Sequence, residues 1–268
     1  MPISAFQAEV LRCIAANRSP DSYLAGATVL HRDEKSPRYS QDLDLFHDVE
    51  ESVARSAEKD AEVLTAAGYG LDWLLRAPTF HRAIVSRKDR QLRIEWAHDS
   101  AFRFFPVEED PEMGFRLHPA DAATNKVLAL AGRSEVRDFV DVIHLHETYL
   151  SLGALAWAAC GKDAGYTPEF LLEQVARHSA YTQADLDRLQ LREPLDSQNL
   201  KRKWLAMLET SCELVRALPA EDIGCLYLGA GRAPVHPDPD SEGFRDLARH
   251  LGSIRGAWPV VSESATDP

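Results

Sequence analysis

No run of about 18 apolar residues occurs in the 268-residue chain, which leaves no candidate for a membrane-spanning helix. Cysteine is scarce. Cys13, Cys160, Cys212 and Cys225 are the four, and none has the close spacing a zinc site uses. They read as reduced core residues of a cytoplasmic protein. The N-terminal stretch mixes Glu9, Arg12 and Arg18 with apolar residues and has no signal-peptide pattern. Basic charge is in deficit: 30 Lys and Arg stand against 42 Asp and Glu, a net charge of −12. A protein that grips nucleic acid over its whole surface is ordinarily basic, so only a local basic groove would serve here. No internal repeat and no Gly-x-Ser-x-Gly elbow is present. Gly229-Ala230-Gly231 lacks the third glycine and following helix of a dinucleotide fingerprint. His144 and His146 face apart on a helix. Asp238-x-Asp240-x-Glu242 resembles a calcium loop, but Arg249 stands where Glu is needed. Lys201-Arg202-Lys203 reads as a solvated face.

What is there is ample for a core: 45% of the residues are hydrophobic, enough for one large domain or two smaller ones. Ser4 is a cap for a first helix to about residue 16, with Phe6, Val10 and Ile14 on one face. A short strand over 23–25 breaks at Gly26, a short helix begins at 28–31, and 32–38 is a charged loop. Residues 40–46 predict a strand, and 50–67 a helix with Val53, Ala57, Ala61 and Leu64 at helical spacing. Strands follow at 70–76, 80–87 and 91–97, then a poorly patterned acidic stretch at 108–112. From Pro119 onward, helices are expected at 120–131, 135–150, 168–178, 183–189 and 197–218. Residues 230–243 predict a loop and 244–251 a last short helix. The chain divides near Leu117 into an α/β part, 1–117, and a mainly helical part, 118–268. With no Pro- or Ser-rich linker between them, the two are expected to pack closely.

The most informative run is Asp42-Leu43-Asp44-Leu45-Phe46. On a strand, side chains alternate, so Asp42 and Asp44 share one face while Leu43 and Leu45 anchor the other. Two carboxylates about 7 Å apart along a backbone repel, and a divalent cation is the plain reason to keep them. An exposed strand face or turn cap is the bland alternative.

A sheet with a Gly turn, a short helix and then Asp-x-Asp resembles the DNA polymerase β-like nucleotidyltransferase superfamily. Gly26-Ala27 and Asp42-Leu43-Asp44-Leu45 carry that resemblance. Further along, Ala25-Gly26-Ala27-Thr28-Val29-Leu30, Arg38-Tyr39-Ser40-Gln41-Asp42-Leu43-Asp44-Leu45-Phe46, Asn125-Lys126-Val127-Leu128-Ala129-Leu130 and Arg137-Asp138-Phe139-Val140-Asp141-Val142 together resemble the AbiEii-type nucleotidyltransferases. Those are toxin-like members paired with an antitoxin. Gly161-Lys162-Asp163-Ala164-Gly165-Tyr166-Thr167-Pro168-Glu169-Phe170 adds to the likeness, which spans residues 23–174. Ala27 departs from the family, standing where a second Gly is usual; Gly permits closer backbone approach.

The resemblance implies an α+β fold with a mixed sheet and flanking helices, then a mainly helical C-terminal region. It implies Mg²⁺, an NTP as co-substrate, and two-metal transfer of a nucleoside monophosphate to an acceptor hydroxyl. Asp42 and Asp44 would hold metal, with Glu95 as third carboxylate and Asp99 and Asp72 as weaker candidates. Gly26, Ala27 and Thr28 would face the phosphates at a helix start, and Ser40 the γ-phosphate. Lys126 would neutralise triphosphate charge. Asp138 and Asp141 share a helix face at i, i+3. The family implies that Asp141 orients Lys126 or assists proton transfer; spacing does not choose between the two. Arg38 is a weaker site candidate that reads more readily as a loop charge. An ordinary Arg137–Asp141 helix pair competes with the functional reading. Three functions stay open: a toxin-like enzyme acting on RNA, tRNA or protein, with a cognate antitoxin; an enzyme modifying a small molecule such as an aminoglycoside; and an NTP-binding or antitoxin-interacting protein with little turnover.

Overall fold

The computed structural model describes residues 3–30 and 36–259. Helix α1 (Ala5–Ile14) begins with a reciprocal cap, Ser4 Oγ accepting from the Gln7 amide and Gln7 Oε1 from the Ser4 amide. Strand β1 (Ser22–Ala25), helix α2 (Gly26–Leu30), strand β2 (Asp42–His47) and helix α3 (Glu50–Ala66) follow. Then come β3 (Gly70–Ala77), β4 (Phe80–Arg87), β5 (Arg90–His98), β6 (Phe102–Arg103), β7 (Glu108–Asp110) and β8 (Gly114–Arg116). The helical part holds α4 (Pro119–Gly132), α5 (Val136–Thr148), α6 (Leu152–Ala159), α7 (Pro168–Arg177), α8 (Gln183–Leu186) and α9 (Ser197–Ala217). Strands β9 (Cys225–Leu228), β10 (Ala248–Leu251) and β11 (Ser253–Ile254) complete the order.

Seven strands make one mixed sheet in the order β3-β4-β5-β2-β1-β8-β7. Strand β2 runs antiparallel to β1 and parallel to β5. This α+β architecture, with its mainly helical C-terminal region, is the expected fold. One face of the sheet is packed by α1 and α3: Leu43, Leu45, Ile94 and Trp96 meet Val10, Ile14, Val53 and Leu64 in one apolar cluster. A second cluster lies among α4, α5, α6, α7 and α9, around Val127, Leu130, Phe139, Leu155, Trp157, Leu171 and Trp204. Leu30 touches both.

Some elements differ from expectation. Residues 244–251 form a 3₁₀ turn, Glu242–Asp246, and then strand β10, which pairs antiparallel with β9. Their mixed polarity fits a helix face, but Ala248–Leu251 has a partner strand available in Cys225–Leu228, and the ladder hydrogen bonds decide. Helix α6 was not anticipated because it is apolar all round; every residue from Leu152 to Ala159 is buried, so no amphipathic period marks it. The acidic stretch at 108–112 contributes β7, which pairs with β8. Residue 31 and most of the expected loop, 32–35, lie outside the described residues. All four cysteines are free, Cys160 and Cys225 buried and Cys13 and Cys212 half-buried.

Candidate active site

The parallel pairing of β2 with β5 sets Asp42 beside Arg93, Asp44 beside Glu95 and Phe46 beside Ala97. Strand β4 continues each row, with Ile84, Arg82 and Phe80 respectively. Leu43, Leu45, Ile94 and Trp96 hold the opposite face in the core, so alternation turns all three carboxylates outward. They face a cavity of about 320 Å³, walled on its other side by Asn125, Lys126 and Ala129 of α4 and Arg137 of α5. Gly26, Ala27, Arg38 and Ser40 also line it.

The carboxylates are not equivalent. Asp42 is paired with the Arg93 guanidinium and with Arg137 Nη1 at 3.1 Å. Glu95 pairs with Arg82 Nε at 2.8 Å and Arg93 Nε at 3.2 Å. Asp44 has no hydrogen bond or ion pair among the described residues. Burial pushes its carboxyl up to about 6; Glu95 and then Asp42 add repulsion, against the pull of Lys126 and Arg137. Gly26 is what makes room for Asp44. Its φ is +66°, and a Cβ there would lie 1.9 Å from Asp44 Oδ2, so the chain needs glycine twice over. Ala27 has no such demand: it is not among the residues with positive φ, and its methyl sits in an ordinary helical backbone.

Among the described residues no three acidic, His or Cys side chains converge as a ready cage for an ion, because Asp42 and Glu95 are turned to arginines. The donor set nevertheless fits Mg²⁺, which takes one or two carboxylates and fills its remaining positions with water and phosphate oxygens. Asp44, without a partner among the described residues, stands beside Glu95 and one row from Asp42, and the three supply that chemistry. Asp72 is exposed on β3 and Asp99 lies beyond the end of β5; neither lines the cavity.

Thr28 is fully buried. Its hydroxyl bonds the Asp42 carbonyl at 3.0 Å and lies 3.1 Å from Ser40 Oγ, which reaches the same carbonyl at 3.0 Å. The two hydroxyls thus clip the start of β2 to α2, and Ser40 alone of the two lines the cavity. Lys126 joins both helix carboxylates, Asp138 Oδ1 at 2.7 Å and Asp141 Oδ2 at 3.2 Å. Arg133 Nε binds Asp138 at 2.7 Å. Burial alone would push the Asp138 carboxyl up, but Lys126 and Arg133 outweigh it and hold it below the usual range. Asp141 takes a two-pronged bond from Arg38, Nε and Nη2 each at 2.6 Å. Arg38 is therefore no solvated loop charge. Buried, it ties the segment before β2 to α5, while the neighbouring Tyr39 amide donates to the Gln190 carbonyl at 2.9 Å. Lys162 has a similar task, binding Asp121 Oδ1 at 2.7 Å and Asn125 Oδ1 at 2.8 Å.

Arg82, Arg93, Arg133 and the Arg137–Asp42 bond were not foreseen. Register arithmetic would have found Arg93: once Glu95 is set beside Asp44, Arg93 must stand beside Asp42.

A family model, the nucleotidyl transferase AbiEii toxin of type IV toxin–antitoxin systems, matches residues 9–222. The chain belongs to that family. It is a nucleotidyltransferase of the AbiEii toxin type. Among solved structures, the nucleotidyltransferase toxin MenT4 of Mycobacterium tuberculosis aligns with a TM-score of 0.56 at 16% identity, covering 81% of this chain and 83% of that one. A Helicobacter pylori protein assigned as a nucleotidyltransferase aligns with a TM-score of 0.51 at 19% identity, covering 80% and 97%. At these identities the two structures speak to fold, and both share the fold seen here. No curated protein matches the chain. Among the described residues, no helix is long and apolar enough to cross a membrane.

Proposed function

We propose that this AbiEii-type enzyme moves a nucleoside monophosphate from an NTP to a hydroxyl at the end of an RNA, tRNA being the first candidate, in the cleft between residues 1–117 and 118–268. The observation that carries the reading is the row of Asp44 and Glu95 beside Asp42 on the cavity wall, with Asp44 left unpartnered against its neighbours' repulsion. Asp42, Asp44 and Glu95 would hold Mg²⁺, which when bound activates the hydroxyl and steadies charge on the leaving oxygens. The chain's own residues do the rest. Lys126, fixed by Asp138 and Asp141, offers a positive charge to the triphosphate. Arg93 and Arg137 release Asp42 as phosphate oxygens replace it. The Gly26–Ala27 backbone and Ser40 border the phosphates. Asp141 positions Lys126 through the same network that anchors Arg38.

Arg133, Arg137 and Lys126 on the cavity wall support an anionic acceptor, in a chain whose net charge is −12. Each is paired with a carboxylate, so they serve such a partner by exchanging those carboxylates for phosphate oxygens. Type IV family membership supports a cognate antitoxin, and the reduced cysteines fit a cytoplasmic protein. The test is incubation with each labelled NTP, Mg²⁺ and either total tRNA or a panel of aminoglycosides. Label is expected on RNA with the unaltered protein and absent with Asp42→Ala and Asp44→Ala. Label on the drugs alone would move the acceptor to small molecules. NTP binding by calorimetry without transfer to anything would sink the enzymatic reading.

A further inference from the structure

The cleft face of the sheet sorts its side chains into three rows. The first is Ile84, Arg93 and Asp42, the second Arg82, Glu95 and Asp44, the third Phe80, Ala97 and Phe46. Phe46, Phe80 and Ala97 line the same cavity as the carboxylates, about 7 Å beyond Asp44 along the strand. The proposed metal site does not use them. A half-exposed aromatic shelf at the edge of a charged cleft calls for a flat, apolar occupant.

Which occupant follows from the direction of the reaction. In nucleotidyl transfer the new P–O bond and the breaking P–O bond lie in line on opposite sides of phosphorus. The leaving pyrophosphate is the more anionic of the two flanking groups. It belongs on the Asp42 side of the carboxylates, where Arg93 and Arg137 converge. The attacking hydroxyl therefore enters from the other side, over the third row. We propose that Phe46, Phe80 and Ala97 form the acceptor subsite, stacking the terminal nucleobase of a single-stranded RNA end while its ribose hydroxyl reaches the Asp44–Glu95 row. The inference rests on the transfer reading above and adds to it where the acceptor lies and what it presents. The hydroxyl's oxygen bonds to the α-phosphorus, the bond from that phosphorus to the α–β bridging oxygen breaks with its electron pair leaving on pyrophosphate, and the hydroxyl proton passes to solvent water.

Arg82 supports the shelf. Its guanidinium carbon lies 5.0 Å from the Phe80 ring centroid, and its Nε holds Glu95 at 2.8 Å. One side chain thus fixes both a shelf ring and a carboxylate, which makes Arg82 a positioning residue. Stacking on aromatic rings tolerates any base, so the shelf selects an unpaired end and not a sequence.

Binding of a fluorescent single-stranded oligoribonucleotide, followed by anisotropy, tests the shelf directly. Loss of one stacking partner predicts about 5- to 160-fold weaker binding by Phe80→Ala. Phe80→Trp restores it, while NTP affinity by calorimetry stays unchanged in both variants. Three results overturn the proposal: no oligonucleotide binding by the unaltered protein, equal binding by Phe80→Ala, or a loss of NTP affinity in its place. The last would give the shelf to the NTP's own base. If the oligonucleotide binds through Phe80 but no nucleotide is ever transferred, the shelf stands and the transfer reading falls.

Discussion

Behind β2 and β5, Asp60 of α3 is fully buried and accepts Arg18 Nη2 on both oxygens at 2.6 Å, Asn17 Nδ2 at 2.8 Å and Trp96 Nε1 at 2.8 Å. In front of the same two strands, Asp44 has no partner among the described residues and faces two further carboxylates. The two faces of one sheet thus meet two aspartates under opposite rules, Asp60 from α3 behind it and Asp44 on its cleft face. Asp60 is paired with donors from three side chains, which is how a fold keeps a charge inside. Asp44 is left in repulsion, an arrangement that makes sense where something else completes it. The difference separates a structural charge from a site charge without reference to any relative.

Substituting both breaks or upholds that comparison. Asp60→Ala strands a buried guanidinium and is expected to cost about 3–5 kcal/mol of stability, read by denaturant unfolding. Asp44→Asn is expected to leave the fold intact and to lower transfer about 10³-fold or more, since metal-held charge stabilisation is worth several kcal/mol. If Asp60→Ala is as stable as the parent, or Asp44→Asn still transfers, the two aspartates have been assigned the wrong way round. Gly26→Ala comes next. Its Cβ would meet Asp44 Oδ2 at 1.9 Å, so Asp44 must move, and a misplacement of about 1 Å costs roughly 10²-fold. Some loss of stability is expected because φ is +66°; retained transfer in Gly26→Ala that is still folded at the assay temperature would show that Asp44's position does not matter.

The pH dependence sharpens the same contrast. Asp44 is raised from 3.8 to about 6, so the folded chain binds this proton more tightly than the unfolded one. The sign follows: its stabilising contribution is whole below about pH 4 and is lost as pH rises through about 6. At pH 7.5 the ionised carboxylate is a net cost. Asp44→Asn is therefore expected to be more stable than the parent by about 1–3 kcal/mol at pH 7.5, with the gain fading towards pH 4. Thermal unfolding of both proteins across that range is the measurement. A constant difference at every pH would mean that Asp44 is not strained.

The front face was more legible in sequence than its partners were. Asp42 and Asp44 announce themselves through alternation; Glu95 follows from the family resemblance, which calls for a third carboxylate on a later strand. Lys126 and the two helix aspartates come from the family resemblance, spacing adding only that the aspartates share a face. Spacing could not see that Lys126 touches both Asp138 and Asp141, because rotamers decide which of two carboxylates a lysine reaches. Nor could it see Arg38 joined to Asp141 across 103 residues. Long-range ion pairs depend on how α5 is laid against the segment before β2, which no local period encodes. Asp60 draws no reading in the sequence, where Ala61 is set on the buried stripe beside it. Its neighbours Val53, Ala57 and Leu64 gave the buried stripe, but nothing local marks a buried aspartate whose donors come from residues 17, 18 and 96. Helix α6 and the strand pair β9–β10 were hidden for simpler reasons, uniform burial in the first and a pairing partner some 20 residues away in the second.

The smallest expected effect concerns Thr28, where motif and geometry part. The motif set its hydroxyl against a phosphate; the structure spends it on the Asp42 carbonyl and Ser40. A hydroxyl in that position belongs with Asp60, as a satisfied group that aligns a strand. Thr28→Val keeps the shape and removes the bond, with Ser40 still reaching the same carbonyl. The expected cost is about 1 kcal/mol of stability, with kcat and the NTP KM altered less than about threefold. That is roughly what the residual carbonyl bond allows. A large fall in kcat/KM for the NTP with an unchanged melting temperature would mean that the hydroxyl turns to the nucleotide on binding. Thr28 would then move from the structural side of the comparison to the site.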